Sequence, residues 1–337
     1  MQPESSSRFL PRRAAVFTAA STLVAAALLT VLPREVQAQD KFPSRPVTLV
    51  VPLAAGGPTD ILARRFAIPM SAALKVPVVV TNVPGAGGAI GSKRVMDAPA
   101  DGYTALIANN GLTSAPTVLS RPDLDPRGRL EPVGMFGSTP VTLTVRSTLP
   151  VNSLAEFLKY SRAQASALNM AHSGTGSGGH LNSVLFNSLA QLSPTYVPYQ
   201  GASPILTALA AGQVDVHLGL SSTDVPFHKA GRARILAVSS RTRLAALPDV
   251  PTMAEAGLPE FDASTWFGVL LPRNVPEPVL AAFEAAVVEA TKDPAYRAAL
   301  ETDFLSELPA AQHMTRRGFG AFINTEVARW QQLLTGK

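Results

Sequence analysis

Ser173-Gly174-Thr175-Gly176-Ser177-Gly178-Gly179-His180 is a run of backbone amides and small hydroxyls closed by one imidazole. It lies inside a stretch, 163–214, that holds no Asp, Glu, Lys or Arg. A second run of similar chemistry, Ala54-Ala55-Gly56-Gly57-Pro58-Thr59-Asp60, follows the apolar segment 47–53. Each leads into a helical pattern. A helix start presents unpaired N–H groups and the positive end of its dipole, so two such loops can hold an anion without formal positive charge. The dipole contributes roughly 0.3–1 kcal/mol when exposed and up to ~2 kcal/mol when partly buried. Charge-assisted amide hydrogen bonds add about 1.5–3 kcal/mol each. A handful reaches micromolar affinity, roughly −8 kcal/mol. The expected cargo is a small carboxylate held between two lobes.

Other chemistries fit these residues less well. Gly174, Gly176 and Gly179 satisfy G-x-G-x-x-G between a strand and a helix, as in a dinucleotide fingerprint. That fingerprint also needs an acidic residue about 20 positions on for a ribose hydroxyl, and the first one after the loop is Asp215. Ser177 lies between glycines and Gly179 fits, but Thr175 breaks the Gly-x-Ser-x-Gly pattern of a hydrolase elbow. No carboxylate near His180 in sequence would orient it as a base. His172 and His180 have no third ligand in view, and no His-Glu-x-x-His occurs, so no metal is expected. No cofactor is expected either. Asp60 has a plain alternative as a helix cap. A binding role without catalysis is the reading carried forward, with an exported hydrolase as its remote rival.

Composition narrows the partners. Arg8, Arg12 and Arg13 precede the apolar run 14–32, and Val36-Gln37-Ala38 offers a small-residue cleavage site, so residues 1–38 read as an export signal. Cleavage near Ala38 leaves 299 residues carrying 25 basic and 22 acidic side chains. The charges are scattered, with no basic stripe interleaved with aromatics, so no nucleic-acid partner is expected. There is no cysteine, which excludes disulfides, thiolate chemistry and a lipoprotein anchor. With 46% hydrophobic residues the chain has the means to build a core without them.

The elements that must position the loops follow from periodicity. Strands are expected over 47–53, 76–80, 103–108, 141–145, 168–172, 195–198, 214–219 and 234–239. Helices are expected from Pro58 to about Pro69, and over 154–165, 180–191, 204–211, 278–291 and 318–334. Pro84–Gly91 reads as a turn entering a short helix. Alternation of this kind predicts an α/β fold in two lobes, each a mainly parallel sheet flanked by helices. Lobe 1 is expected over 39–140 plus 250–337, with the C-terminal helices packed on it, and lobe 2 over 141–249.

Several segments taken together resemble the Bug family, the periplasmic solute-binding proteins of tripartite tricarboxylate transporters. They are Phe42-Pro43-Ser44-Arg45-Pro46, Val51-Pro52-Leu53-Ala54-Ala55-Gly56-Gly57-Pro58-Thr59-Asp60, Asn82-Val83-Pro84-Gly85-Ala86-Gly87-Gly88 and Pro99-Ala100-Asp101-Gly102-Tyr103-Thr104. Further on come Val197-Pro198-Tyr199-Gln200-Gly201-Ala202, Gly212-Gln213-Val214-Asp215, Ala237-Val238-Ser239-Ser240 and Leu247 through Gly257. The resemblance implies a Venus-flytrap binding protein (type II-like) in the periplasm whose lobes close on one carboxylated ligand. It implies contacts from Ala55, Gly56, Gly57, Thr59 and Asp60 on the first lobe, and from Ser173, Gly174, Thr175, Gly176, Ser177 and His180 on the second. It also implies delivery to membrane permease subunits, by a monomer. A ligand-sensing module for a sensor kinase ectodomain is the alternative. The chain departs from the pattern at Gln200, where relatives often carry Lys, and in Ala108-Asn109-Asn110-Gly111-Leu112-Thr113, so a second ligand carboxylate is left open.

Overall fold

The computed structural model describes residues 42–164, 168–261 and 263–335. The expected export signal lies outside the described residues. Val47-Thr48-Leu49-Val50-Val51 forms β1, almost completely buried, as a β-branched run in the middle of a parallel sheet should be. It is followed by α1 (Pro58–Leu74), β2 (Val78–Asn82), α2 (Ala89–Met96) and β3 (Thr104–Ala108). Strands β2 and β3 pair parallel to β1 on either side.

The chain then adds α3 (Asn110–Val118), β4 (Leu130–Arg146), α4 (Leu154–Ala163), β5 (Asn169–His172) and α5 (Gly178–Ala190). Next come β6 (Thr195–Pro198), α6 (Ala202–Ala210), β7 (Val216–Leu220), α7 (Ser221–Lys229) and β8 (Ala233–Val238). The last elements are β9 (Ser264–Pro272), α8 (Glu277–Ala290), α9 (Pro294–Thr302) and α10 (Arg316–Thr335). In space the strands run β2-β1-β3-β9-β4-β7-β5-β6, and β8 pairs with β4 off that path. This is the α/β architecture expected, two sheet halves flanked by helices, but the halves are mixed and not mainly parallel: β9 and β4 add antiparallel pairings to β3, β7 and β8.

Strand β4 joins the halves. Leu130–Pro140 pairs antiparallel with β9, and Val141–Arg146 pairs with β7 and β8. The sequence predicts a strand only over 141–145; Pro132, Gly134, Gly137 and Pro140 before it are residues that interrupt a regular ladder. The structure accommodates them with register shifts at Pro132/Gly134 and Met135/Gly137, where bulges let the strand bend from one half into the other.

Each half has its own apolar centre. Phe66, Phe136, Phe267, Phe283 and Leu300 meet in the first half, with Phe66 and Phe136 stacked at 4.1 Å between ring centroids. Leu143, Phe157, Phe186, Leu218 and Phe261 meet in the second. Helices α8 and α9 supply the first centre, whereas α10 lies across both. Its Phe319, Ile323 and Val327 pack with Trp266 and Leu270, and Trp330 one turn on packs into the second centre. Met253, Leu258 and Phe261 also belong to the second centre. The apolar residues just before β9 thus pack with the second half.

Candidate functional site

Both loops sit at the carboxyl ends of parallel strands, where βα units open their crevices. The first connects β1 to α1. Gly57 is the N-cap and Pro58 opens the helix, which fixes the approach of the chain. Gly56 has φ +78°, a left-handed conformation that favours glycine, and a side chain there would project into open space. Asp60 staples the loop from inside. Its Oδ2 accepts from the Gly56 N–H at 2.8 Å and from Arg64 Nε at 3.1 Å, and its Oδ1 accepts from Asn82 Nδ2 at 2.9 Å. Asn82 also donates to the Leu53 carbonyl. Burial pushes the Asp60 carboxyl up, but the hydrogen bonds from Arg64, Gly56 and Asn82 outweigh it and hold it below the usual carboxylate range. Asp60 is not the helix cap, which is Gly57 without a side-chain hydrogen bond; its oxygens are occupied by Gly56, Arg64 and Asn82.

The second loop connects β5 to α5. The Ser177 side chain caps α5 by accepting from the His180 N–H, and Ser173 Oγ donates to Ser177 Oγ at 3.0 Å. The Ser177 N–H closes a turn onto the Gly174 carbonyl. The Gly176 N–H donates to His180 Nδ1 at 3.3 Å, which places the proton of the neutral ring on Nε2. The His180 ring lies 4.6 Å from His172 and 5.5 Å from Tyr196, and Asn187 Nδ2 donates to the Tyr196 hydroxyl. Burial and the neighbouring His172 push the His180 pKa down to about 4. The loop is thus neutral at pH 7.

Four of the loop amides are spent within the chain: those of Gly56, Gly176, Ser177 and His180. Among the described residues, the N–H groups of Gly57 and Thr59 on one side, and of Gly174, Thr175, Gly178 and Gly179 on the other, have no acceptor. These are the orphan donors that a helix start leaves over. The two loops share a neighbour, the turn 85–88. A Cβ on Gly88 would lie 3.5 Å from Pro52, and one on Gly87 would lie 3.6 Å from the Thr175 carbonyl. Helix α3 closes the same side, with Ser114 Oγ 3.5 Å from the Gly176 carbonyl. The sequence reads Pro84–Gly91 as a turn entering a short helix and gives no helix over 110–118, where Gly111 and Pro116 are poor helix formers. Asn109 caps that helix through the Gly111 N–H, and Asn110 bridges the Ser264 carbonyl and the Trp266 N–H of β9. No group of three or more metal-ligating side chains occurs among the described residues.

Comparison with known proteins now decides the family. Residues 62–336 match the model of the tripartite tricarboxylate transporter family receptor. The chain belongs to that family. BugT of Bordetella pertussis is 32% identical over 294 residues, covering 86% of this chain and 89% of BugT. Among solved structures, MatC from Rhodopseudomonas palustris, with bound malate, is 35% identical with TM-score 0.76, covering 87% of this chain and 100% of that one. R. palustris Rpa4515, with adipate, is 32% identical with TM-score 0.77, covering 87% and 97%. The periplasmic binding protein BugD is 31% identical with TM-score 0.77, covering 88% of this chain and 98% of that one.

In this receptor the half-buried His180 imidazole carries a pH dependence. A ring whose pKa falls from about 6.5 unfolded to about 4 folded binds its proton preferentially in the unfolded chain between those values. Stability contributed by neutral His180 is therefore full above pH 6.5 and is lost as pH falls toward 4. After allowance for solvent screening of a half-buried ring, the loss is on the order of 1–2 kcal/mol. Urea unfolding at pH 7 and pH 4.5, with His180→Gln as comparison, measures it. An unchanged pH dependence in the variant would remove His180 as its source.

Proposed function

We propose that this receptor captures a small organic carboxylate in the cleft between the two sheet halves and delivers it to the permease of a tripartite transporter. The observation that carries this reading is the set of amides on two helix-opening loops that have no acceptor among the described residues. Arg64, the cation next to the first loop, directs its guanidinium at Asp60 and Asn82. A carboxylate head seated between Gly56–Asp60 and Gly174–Ser177 would meet the N–H groups of Gly57, Thr59, Gly174 and Thr175 and the dipole ends of α1 and α5. The candidate contacts Ala55, Gly56, Gly57, Thr59, Ser173, Gly174, Thr175, Gly176, Ser177 and His180 line that seat. Asp60 shapes it. Because the Asp60 oxygens are already occupied, the reading favours ligands without an amino group. The malate and adipate held by MatC and Rpa4515 are of the expected chemical class.

The reading places the protein in the periplasm, exported by the leader over 1–38. Among the described residues no helix is long and apolar enough to cross a membrane. Thermal and urea unfolding against malate, adipate and a panel of monocarboxylates tests it. A true ligand at 100 times its dissociation constant adds about 2.7 kcal/mol to the unfolding free energy. A panel in which every carboxylate leaves stability unchanged, while an uncharged or cationic solute raises it, would overturn the assignment.

A further inference from the structure

Ser161 lies on the last turn of α4 and Asn187 on the last turn of α5. Both are buried, at 2% and 5% exposure. They line the same small cavity, of about 10 Å³, whose other walls are apolar: Phe157, Leu168, Met170 and Val216 inside, with half-buried Leu192 and Pro194. Asn187 Nδ2 spends both of its hydrogens, donating to the Tyr196 hydroxyl at 2.8 Å and to Met170 Sδ at 3.3 Å. Its Oδ1 is buried and has no partner among the described residues. Ser161 Oγ is in the same condition, without the bond to a carbonyl one turn earlier that a helical serine often makes.

Buried polar atoms in a native core are partnered as a rule, and two orphans on the wall of one cavity point to a shared partner. The size of the space selects it. About 10 Å³ admits one water and no larger molecule. A metal ion would find two neutral oxygens and hydrocarbon, where hard cations take about six oxygen ligands. We propose that the cavity binds one internal water, which accepts from the Ser161 hydroxyl and donates to Asn187 Oδ1, each over about 2.8 Å. One molecule then closes both orphans and ties α4 to α5. It also fixes the Asn187 amide, because with Oδ1 held on the water, Nδ2 must face Tyr196 and Met170.

This makes Asn187 a positioning residue for the second loop. Its amide pins the Tyr196 hydroxyl, and the Tyr196 ring meets two imidazoles edge-on: His180 at 5.5 Å between centroids and 67°, and His172 at 5.9 Å and 79°. His180 in turn accepts from the Gly176 N–H. The water therefore sits at the far end of a short chain of contacts, Asn187 to Tyr196 to His180 to Gly176. Neither the site nor the chain depends on what the loop binds, and the apoprotein suffices to test both.

A high-resolution crystal structure of the wild-type receptor should show one density peak within hydrogen-bond distance of Ser161 Oγ and Asn187 Oδ1. In urea unfolding, Ser161→Val and Asn187→Leu each strand one polar atom, whereas the double variant strands none. The double is expected to lower the urea midpoint no more than the worse single does. Ser161→Val should also raise the His180 pKa from about 4 by about 0.5 unit, read by histidine NMR, as the ring behind it loosens and water reaches it. Leu258→Ala, a truncation in the same apolar centre that does not line the cavity, should leave that titration in place. A cavity with no density between the two atoms, or a direct bond from Ser161 to Asn187, overturns the water site. Additive losses in the urea series overturn the shared partner. A His180 titration that stays put in Ser161→Val, or moves equally in Leu258→Ala, overturns the link to the loop.

Discussion

Asp224→Ala is expected to lower the unfolding free energy by about 3–5 kcal/mol, the cost of leaving the partners of a buried charge unpaired. Asp224 sits in α7 with 0% of its surface exposed. Its Oδ2 accepts from Thr142 Oγ1 at 2.7 Å and from Thr144 Oγ1 at 2.6 Å, both on β4, and its Oδ1 accepts from Thr223 Oγ1 at 2.9 Å. His217 Nε2 of β7 lies 2.9 Å from Oδ2 and is itself 2% exposed. Burial pushes the carboxyl up, but the neighbouring His217 and the hydroxyls of Thr144 and Thr142 outweigh it and hold it below the usual range. Truncation would take the carboxylate from His217 and leave the buried Thr142 and Thr144 hydroxyls with only the 3.4 Å contact to the Gly219 carbonyl and the 3.1 Å bond between them. The cluster ties α7 to β4 and β7 in the second half, so its loss should act on folding and leave the loop chemistry alone. Urea unfolding at pH 7 measures the effect, with Asp224→Asn as the milder comparison because it retains one acceptor oxygen. A loss under about 1 kcal/mol in Asp224→Ala would contradict a structural role for the carboxylate.

Gly176→Asp is expected to abolish ligand stabilisation, a loss of about 2.7 kcal/mol at ligand concentrations 100 times the wild-type dissociation constant. Gly176 has φ +80°, and a Cβ there would lie 3.1 Å from Val118 Cγ1 of α3. The substitution strains the loop and adds a carboxylate where the ligand's own carboxylate is proposed to sit. Two like charges at such separation cannot share a set of neutral amides. The apoprotein should remain folded, since the loop contributes little to either apolar centre. Gly212→Asp is the control for backbone strain alone: its φ is +74°, nothing lies within 4 Å of its Cβ position, and it follows α6 away from the loops. Wild-type ligand shifts in Gly212→Asp and none in Gly176→Asp are the expected pair. Equal shifts in both would move the ligand off the second loop.

The parallel strands and the helix starts were legible in the sequence because they depend on local rules. Val47–Val51 could only be a buried strand, and Pro58 after two glycines could only open a helix. The first turn of α5 lay one step outside the expected helix, because Gly178 and Gly179 are poor helix formers and Ser177 supplies the cap. The elements that join the halves were not legible. Leu130–Pro140 looks like loop until β9 supplies a partner, and β9 itself, nine residues from Ser264, follows a segment whose apolar residues belong to the other half. Asn110–Val118 becomes a helix because Asn109 caps it and Asn110 ties it to β9, contacts separated by more than 150 residues in sequence.

By itself the sequence determined the chemistry of the two loops: amides, small hydroxyls, no cation, and a helix after each. Those properties belong to residue types and spacing, which folding does not alter. Only the tertiary structure decided how that chemistry is divided. It turned Asp60 and Asn82 inward to staple one loop, matched the Gly176 amide to His180, and brought Gly87 and α3 against the second loop. The reason is that a hydrogen bond is made with whatever partner packing brings within reach, and for these groups the partner comes from another turn of the chain.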